Sequence, residues 1–190
     1  TVSDGHGGTV TASVTVTVNG GSSDSDTTDD LKGTITARGD YAAVGEGKEK
    51  AFDNQSGTKW LDFSPQGSWI QYDYAPGISG KLSSYTITSA NDAWERDPAD
   101  WQLLGSNDGG TNWVAVDGRT NEQFSARFQK RTFALNGSPT YKAYRLNITK
   151  VQNPASANSV QLAEIELLGQ QVSGGVNHPP VADAQSVTTA

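Results

Sequence analysis

The stretch AYRLNITKVQNPASANSVQLAEIELLG, residues 143–169, decides the fold of this chain. Tyr144, Leu146 and Ile148 stand at alternate positions in its first part. An alternation of apolar and polar residues predicts a half-buried β-strand. The polar segment that follows, rich in Asn, Ser and Pro, predicts a loop before the next strand.

The second strand of this stretch contains a fault in its alternation. Val160 and Leu162 occupy even positions, whereas Ile165 and Leu167 occupy odd ones. A β-bulge at Ala163–Glu164 would explain the change of parity and would turn a carbonyl and a carboxylate outward together. We therefore predict a bent strand with an oxygen-rich corner.

The same short period recurs on both sides of that stretch. No segment has a long helical period, and one helical turn is predicted at residues 48–53. Turn residues separate the apolar runs, which predicts an all-β sandwich or barrel. The predicted strands are Thr34–Arg38, Trp60–Phe63, Ser68–Ala75, Leu82–Ser89, Trp101–Ser106, Trp113–Asp117, Arg127–Leu135, Tyr141–Thr149 and Val160–Leu168.

The charge distribution divides the chain. All fourteen Lys and Arg lie between Lys32 and Lys150, and the net charge of -7 belongs mostly to acidic ends. We predict a domain at 31–169, preceded by an acidic polar linker at 19–30. Residues 1–18 resemble the last hairpin of a cadherin-like or immunoglobulin-like repeat, and 170–190 resemble a linker and the first strand of another. We therefore expect the chain to be part of a longer protein.

The predicted domain lacks the residues of several enzyme classes. The chain has no Cys, and its two histidines, His6 and His178, lie outside 31–169. This excludes Ser-His-Asp and Cys-His catalysis and histidine-ligated zinc from the domain. Four carboxylates within residues 92–100 could suggest a glycosidase, but nothing in the sequence raises a carboxyl pKa as a general acid requires. We therefore expect the domain to be non-catalytic.

Four motifs, in order, resemble one family. KAFDNQSGTKW (50–60), GSWIQYDY (67–74), LLGSNDGGTNW (103–113) and the opening stretch are similar to the discoidin, or coagulation-factor type C, fold used by family 32 carbohydrate-binding modules of bacterial enzymes. The resemblance implies a jelly-roll β-sandwich of the galactose-binding-domain type. It indicates the ligand less specifically, because this fold serves sugars, lipids and proteins.

The resemblance also implies a structural Ca²⁺ ion between the loop before Trp60 and the last strand. Carboxylates and carbonyls on a bent loop are ligands that Ca²⁺ prefers. An ordinary turn at Asp53, with Glu164 in a salt bridge, is the alternative. The implied ligands are the carbonyls of Lys50, Gln55, Thr58 and Ala163 and the side chains of Asp53, Thr58 and Glu164.

The five tryptophans divide into two groups. Trp60, Trp69, Trp101 and Trp113 fall where the family uses an aromatic or large apolar residue for packing, so we predict that they lie in the core. Trp94 lies in the middle of a loop among charged residues, and no alternation points it inward. We interpret Trp94 as a platform on which a sugar ring stacks.

Polar side chains near Trp94 could bind sugar hydroxyls in pairs. The candidates in its own loop are Asn91, Glu95 and Arg96; Arg96 could equally pair with a neighbouring loop. Two other loops contribute Tyr41 and Glu46, and Phe124 and Arg127, of which Phe124 could instead be an apolar plug.

These expectations lead to one function and one alternative. The first is a secreted bacterial module that tethers a polysaccharide-degrading enzyme to its substrate. The alternative is an adhesion or structural module of a bacterial cell-surface protein that binds a protein or a glycan. The expected partner is a polysaccharide or oligosaccharide, with no nucleic acid and no membrane, and we expect a monomer as an isolated domain.

Overall fold

The computed structural model describes residues 24–29, 32–65 and 67–174, together with two short strands near the start. The three helical segments, Ala42–Val44, Lys48–Ala51 and Trp94–Arg96, are all 3₁₀ turns. In this described part, no helix is long and apolar enough to cross a membrane. The strands are β1 (Val2–Ser3), β2 (Thr9–Val10), β3 (Ser25–Asp26), β4 (Thr34–Ala37), β5 (Trp60–Asp62), β6 (Ser68–Asp73), β7 (Ile78–Thr88), β8 (Pro98–Ser106), β9 (Val114–Arg119), β10 (Lys130–Ala134), β11 (Thr140–Tyr141), β12 (Ala143–Val151), β13 (Val160–Leu162) and β14 (Glu164–Ser173).

Two antiparallel sheets form the sandwich, so the predicted all-β fold is confirmed. One sheet has the order β4-β6-β12-β8-β9, and the other has the order β10-β7-β14-β3, with β11 also on β7. The predicted apolar alternation fixes the register, since Tyr72 pairs with Tyr144 and Ile70 pairs with Leu146. All four side chains are buried between the sheets.

The change of parity near Ala163 marks the boundary between two strands, β13 and β14, and not a bulge within one strand. β13 pairs with β5, whereas β14 pairs with β7 in a sheet of the sandwich. Ala163, between them, is fully buried and donates its N–H to the Thr88 carbonyl at 2.8 Å. The chain therefore exchanges one partner strand for another at Ala163, and each strand keeps its own alternation.

Two strands of the sandwich extend beyond the predicted domain boundaries of 31–169. β3 lies within the predicted linker and pairs with β14 through Asp26 and Leu168. Thr27 is buried, and its hydroxyl donates to the Leu167 carbonyl at 2.8 Å. At the other end, β14 continues to Ser173. These edges are stabilised by hydrogen bonds, which an apolar pattern cannot reveal.

The flanking repeats were predicted over 1–18 and 170–190. β1 and β2 pair as an antiparallel hairpin, which accounts for a small part of the first segment. The remainder of 1–18, and residues 175–190, lie outside the described residues.

The core tryptophan prediction is correct for two positions and wrong for two. Trp60 and Trp101 are buried. Trp69 and Trp113 instead lie half-buried on the outer face of a sheet, where they flank the guanidinium of Arg145 at 4.1 and 4.3 Å from their ring centroids. A cation between two indole faces gives them a partner outside the core.

One end of the sandwich collects the long connections. The pairings place the end of β4 beside the start of β6, and the end of β7 beside the starts of β10 and β14. We call this the loop end; its connections are 38–67, 89–97, 120–129 and 152–159. Of the six exposed large hydrophobic side chains among the described residues, five lie there: Tyr41, Val44, Phe63, Trp94 and Phe128.

Candidate functional site

The Trp94 loop has an unusual and well-fixed backbone. Ala93 adopts a left-handed conformation with φ of 44°, which is uncommon for a residue with a Cβ. The Gln161 amide holds the carbonyls of Asp92 and Ala93 at 2.6 and 3.3 Å. The 3₁₀ turn that follows leaves the Trp94 side chain 53% exposed. A large aromatic ring is thus presented to solvent by a fixed loop.

Arg127 clamps this loop from the neighbouring connection. Its Nη1 donates to Asp97 Oδ1 at 3.0 Å and to the carbonyls of Asp92 and Ala90 at 2.9 and 3.3 Å. Its Nη2 donates to the second oxygen of Asp97. Because these donors have partners within the chain, Arg127 positions the loop; that it also binds ligand directly stays a prediction.

The ion pair between Arg127 and Asp97 is shielded from solvent on the Asp97 side. The Asp97 carboxyl is fully buried, and this burial raises its pKa to about 6, although Arg127 acts in the opposite direction. The pair thus connects the Trp94 loop to the 120–129 connection through a carboxylate that has little access to water.

A cavity of about 480 Å³ lies beside Trp94; we call it the Trp94 groove. It brings together three predicted ligand residues, Trp94, Phe124 and Arg127. Phe124 is 3% exposed, and its N–H donates to Gln152 Oε1 at 2.7 Å, so it supports the groove from below as an apolar plug. The lining residues are Trp94, Gln123, Phe124, Ser125, Ala126, Arg127 and Gln152.

Tyr41 and Glu46 lie on the other side of the Trp94 loop, connected to it by Lys59. Lys59 Nζ lies 2.7 Å from Asp92 Oδ1 and 3.5 Å from Glu46 Oε1, and its side chain is 8% exposed. The Tyr41 ring meets Phe63 edge-on, with 5.1 Å between centroids. Burial opposes ionisation of Asp92, but the hydrogen bond and charge of Lys59 outweigh it and hold its pKa below the usual value.

The remaining candidates lie on the Trp94 loop itself. Asn91 is exposed and Glu95 is half-buried. Arg96 Nε is buried and, within the described residues, has no hydrogen-bond partner. A buried donor without a partner costs free energy, and because this Nε is shielded from solvent, it does not itself face a ligand.

The predicted calcium residues converge around one backbone N–H. Gln55 N lies 3.1 Å from Asp53 Oδ1 and 3.0 Å from Glu164 Oε2. Thr58 Oγ1 lies 2.9 and 3.0 Å from the two Asp53 oxygens. Lys50, which was expected to contribute a carbonyl, also places its Nζ 3.1 Å from Asp53 Oδ2. Two carboxylates and a hydroxyl therefore meet at one point.

Glu164 provides the test of whether these residues suit a cation. Its Oε1 is buried and, over the described ranges, has no hydrogen-bond partner. Burial, followed by repulsion from Asp53, raises the Glu164 pKa to about 8. A hard divalent cation would satisfy this oxygen, so the donor set fits Ca²⁺. No group of three or more His, Cys, Asp or Glu among the described residues converges as a metal site, so the carbonyls of Gln55, Thr58 and Ala163 would have to complete the coordination.

Sequence reasoning missed Lys59, Gln152 and Gln161. Lys59 and Gln161 are buried polar residues on or beside β5 and β13 that hold loops from below. Neither an apolar period nor a charge cluster marks them, since each acts through contacts distant in sequence. Gln161 stands between Val160 and Leu162, where a period of two predicts an outward-facing side chain, yet it is buried.

Comparison with known proteins gives one relative by sequence and many by structure. No family model matches the chain. An Arabidopsis thaliana protein named peptide-N(4)-(N-acetyl-beta-glucosaminyl)asparagine amidase is 38% identical over 120 residues. That match covers 62% of this chain and 16% of the relative, so the chain spans about a sixth of the relative's length.

Two solved structures illustrate the structural likeness. A family 32 module from Clostridium perfringens, in complex with GalNAc-beta-1,3-galactose, has a TM-score of 0.61 and 16% identity over 75% of this chain and 98% of its own. Chitosan-binding module 1 of a Paenibacillus sp. IK-5 chitosanase/glucanase has a TM-score of 0.57 and 25% identity. The likeness covers 73% of this chain and 96% of the chitosan-binding module. The described part of this chain therefore has the discoidin-like, galactose-binding-domain-like β-sandwich fold of family 32 carbohydrate-binding modules.

Proposed function

We propose that this domain is a non-catalytic carbohydrate-binding module whose ligand lies across Trp94. The exposed Trp94 ring on a clamped loop is the observation that carries the proposal. An indole face stacks on the C–H face of a pyranose, and a fixed loop reduces the entropy lost on binding. Arg96, Glu95 and Asn91 provide polar groups around the ring.

The wider role follows from this binding. Attached to a polysaccharide-degrading enzyme of a secreted bacterial protein, the module would hold the catalytic domain near its substrate and raise the effective concentration without new chemistry. The absence of His from the described residues, together with the Lys59 and Arg127 partners of Asp92 and Asp97, supports a binding role over a catalytic one.

Replacing Trp94 with alanine should weaken glycan binding by at least about tenfold, since aromatic stacking and apolar burial together contribute more than about 1.4 kcal/mol. Affinity electrophoresis on a panel of neutral and acidic polysaccharides, followed by calorimetry with GalNAc-β-1,3-galactose and chitosan oligosaccharides, measures the change. Weaker binding at high salt would identify an anionic glycan.

The matched control for Trp94 is Phe63→Ala, which removes an exposed ring from the same end of the sandwich. It should leave the affinity within about twofold if Trp94 is the platform. Unchanged affinity of Trp94→Ala for every glycan that the unaltered domain binds would reject the platform. Binding to proteins alone would favour the adhesion module.

We also propose that the Asp53 and Glu164 corner binds a structural Ca²⁺ ion. Calcium at about a hundred times its dissociation constant should stabilise the fold by about 2.7 kcal/mol. Thermal unfolding in EDTA and in excess Ca²⁺ measures this, with Mg²⁺ as the ion control. Glu164→Gln keeps the shape of the side chain but removes its charge, and should abolish the response. An unchanged melting temperature in Ca²⁺, or an equal response in Glu164→Gln, would reject the site.

A further inference from the structure

A second cavity, of about 340 Å³, lies at the loop end on the side of β7, β10 and β14. We call it the Phe128 pocket. Its walls are Phe128, Asn54 and Ser56, with Lys130 and Glu166 along one edge. None of its lining residues lines the Trp94 groove, although the 120–129 connection separates the two. The Phe128 pocket is therefore a separate place on the molecule.

Phe128 has a backbone conformation that folding alone does not favour. Its φ is 57°, in the left-handed region where a bulky residue is an outlier and where Asn or Gly is preferred. The residues on both sides are fixed: Arg127 pairs with Asp97, and Gln129 N–H donates to Ser89 Oγ at 2.9 Å. The result is a ring that is 49% exposed. Backbone strain of this kind clusters at ligand sites, so the strained and exposed Phe128 suggests that its ring contacts a ligand.

Asn54, which also lines the Phe128 pocket, is a second residue with a left-handed backbone. Its φ is 58°, and its Nδ2 donates to Asp29 Oδ1 at 2.7 Å. This bond fixes the plane of the amide beside the pocket. Ser56 adds an exposed hydroxyl. A ring on one side and planar polar groups on the other are the features with which proteins hold a sugar.

Charge at the edge of the pocket restricts the kind of sugar. Lys130 Nζ lies 2.6 Å from Glu166 Oε2, and Thr86 Oγ1 donates to the same Glu166 oxygen at 3.0 Å. The two opposite charges cancel while both groups keep further hydrogen-bonding capacity. Glu164 in the wall accepts from Gln55 N–H at 3.0 Å, so it is directed toward the 53–58 loop. This edge offers no net positive charge to a uronate or a sulfate, so it suits a neutral ligand.

We propose that the Phe128 pocket is a second glycan site, which binds the terminal neutral pyranose of a glycan chain. The sugar face stacks on Phe128, and Asn54, Lys130 and Glu166 bind its hydroxyls. The cavity is at the small end of the range for ligand sites, which suits one ring. With the Trp94 groove at the same end, two chain ends or two branches can bind together and increase avidity.

NMR titration of the full ¹⁵N-labelled chain with galactose, glucose and N-acetylglucosamine tests the proposal, because the amides of each site report separately. With at least one of these sugars, the amides of Asn54, Ser56 and Lys130 should shift. These shifts should disappear in Phe128→Asn and persist in Phe128→Tyr, which keeps the ring, and in Trp94→Ala. Shifts near Trp94 report the first site, so failure of one site is distinguishable from failure of the other.

Phe128→Asn also separates binding from packing. Asn adopts the left-handed conformation at lower cost, so the melting temperature should stay the same or rise while binding is lost. The proposal is overturned if none of the three sugars shifts the Asn54, Ser56 and Lys130 amides, or if Phe128→Asn retains those shifts. A melting temperature clearly lowered in Phe128→Asn would assign the ring to packing and would also overturn it.

Discussion

Trp101→Ala should lower the free energy of unfolding by about 3–5 kcal/mol, the range for removing a fully buried Trp. Trp101 is 1% exposed and packs edge-on against Phe133, with 5.1 Å between ring centroids. Its Nε1 donates to the Tyr85 hydroxyl at 2.8 Å, and that hydroxyl donates to Asp117 Oδ2 at 2.7 Å. Alanine therefore leaves a cavity and removes a donor from a hydrogen-bond chain between the two sheets. Urea unfolding followed by fluorescence of the remaining tryptophans measures the loss.

Two further variants test this prediction: one separates the ring of Trp101 from its hydrogen bond, and the other removes a tryptophan outside the core. Trp101→Phe keeps most of the ring but removes the donor, and should cost about 1–2 kcal/mol. Trp113→Ala removes a half-exposed ring that stacks on Arg145, and should cost about 1 kcal/mol. If Trp113→Ala were as damaging as Trp101→Ala, the outer face would contribute to stability as much as the core, contrary to this prediction.

Arg127→Ala should destabilise the fold by about 3–5 kcal/mol at neutral pH, since it leaves a buried carboxylate without its partner. The carbonyls of Ala90 and Asp92 each lose one of their hydrogen-bond donors at the same time. Because the Trp94 loop depends on this clamp, glycan binding should weaken as well. Lys130→Ala is the control for stability alone, since the lysine of its ion pair is 52% exposed and the pair should contribute less than about 1 kcal/mol.

The pH dependence of Arg127→Ala identifies Asp97 as the cause. Burial raises the pKa of Asp97 to about 6, whereas the unfolded chain has the ordinary value of about 4. The folded chain therefore binds this proton more tightly, so the Asp97 contribution to stability falls as the pH rises from about 4 to about 6. Without Arg127 the pKa rises further, so the deficit should be larger at pH 8 than at pH 5. Equal deficits at both pH values would contradict this assignment.

The alternation of apolar residues was sufficient to predict the sandwich. Ile70, Tyr72, Leu146 and Ile148 are buried as the pattern indicates, because a period of two leaves a strand only one apolar face. β3 was missed because Ser25 and Asp26 are polar and are stabilised by hydrogen bonds to β14. The strand predicted at 127–135 begins instead at Lys130, since Phe128 has a left-handed backbone that ends regular pairing.

The candidate site was only partly predictable. The exposure of Trp94 followed from its position in a charged loop that has no alternation. The roles of Arg127 and Lys59 did not, because their partners lie 30 or more residues away in the sequence. Trp69 and Trp113 show the same limit: the residue type suggested packing, but only the fold reveals Arg145 between them.

The position of β3 beside β14 determines how this domain can be connected to other proteins. The described chain enters β3 at Ser25, opposite Gly169 near the middle of β14, whereas β14 ends at Ser173, at the pole opposite the loop end. Because β3 runs antiparallel to β14, the chain enters β3 from the direction of that pole, and β14 ends toward the same pole. The ten residues of β14 span about 33 Å, so the loop end lies about that far from Ser173. A polypeptide attached at Ser173 would therefore leave the loop end, with its exposed Trp94, free to meet a ligand.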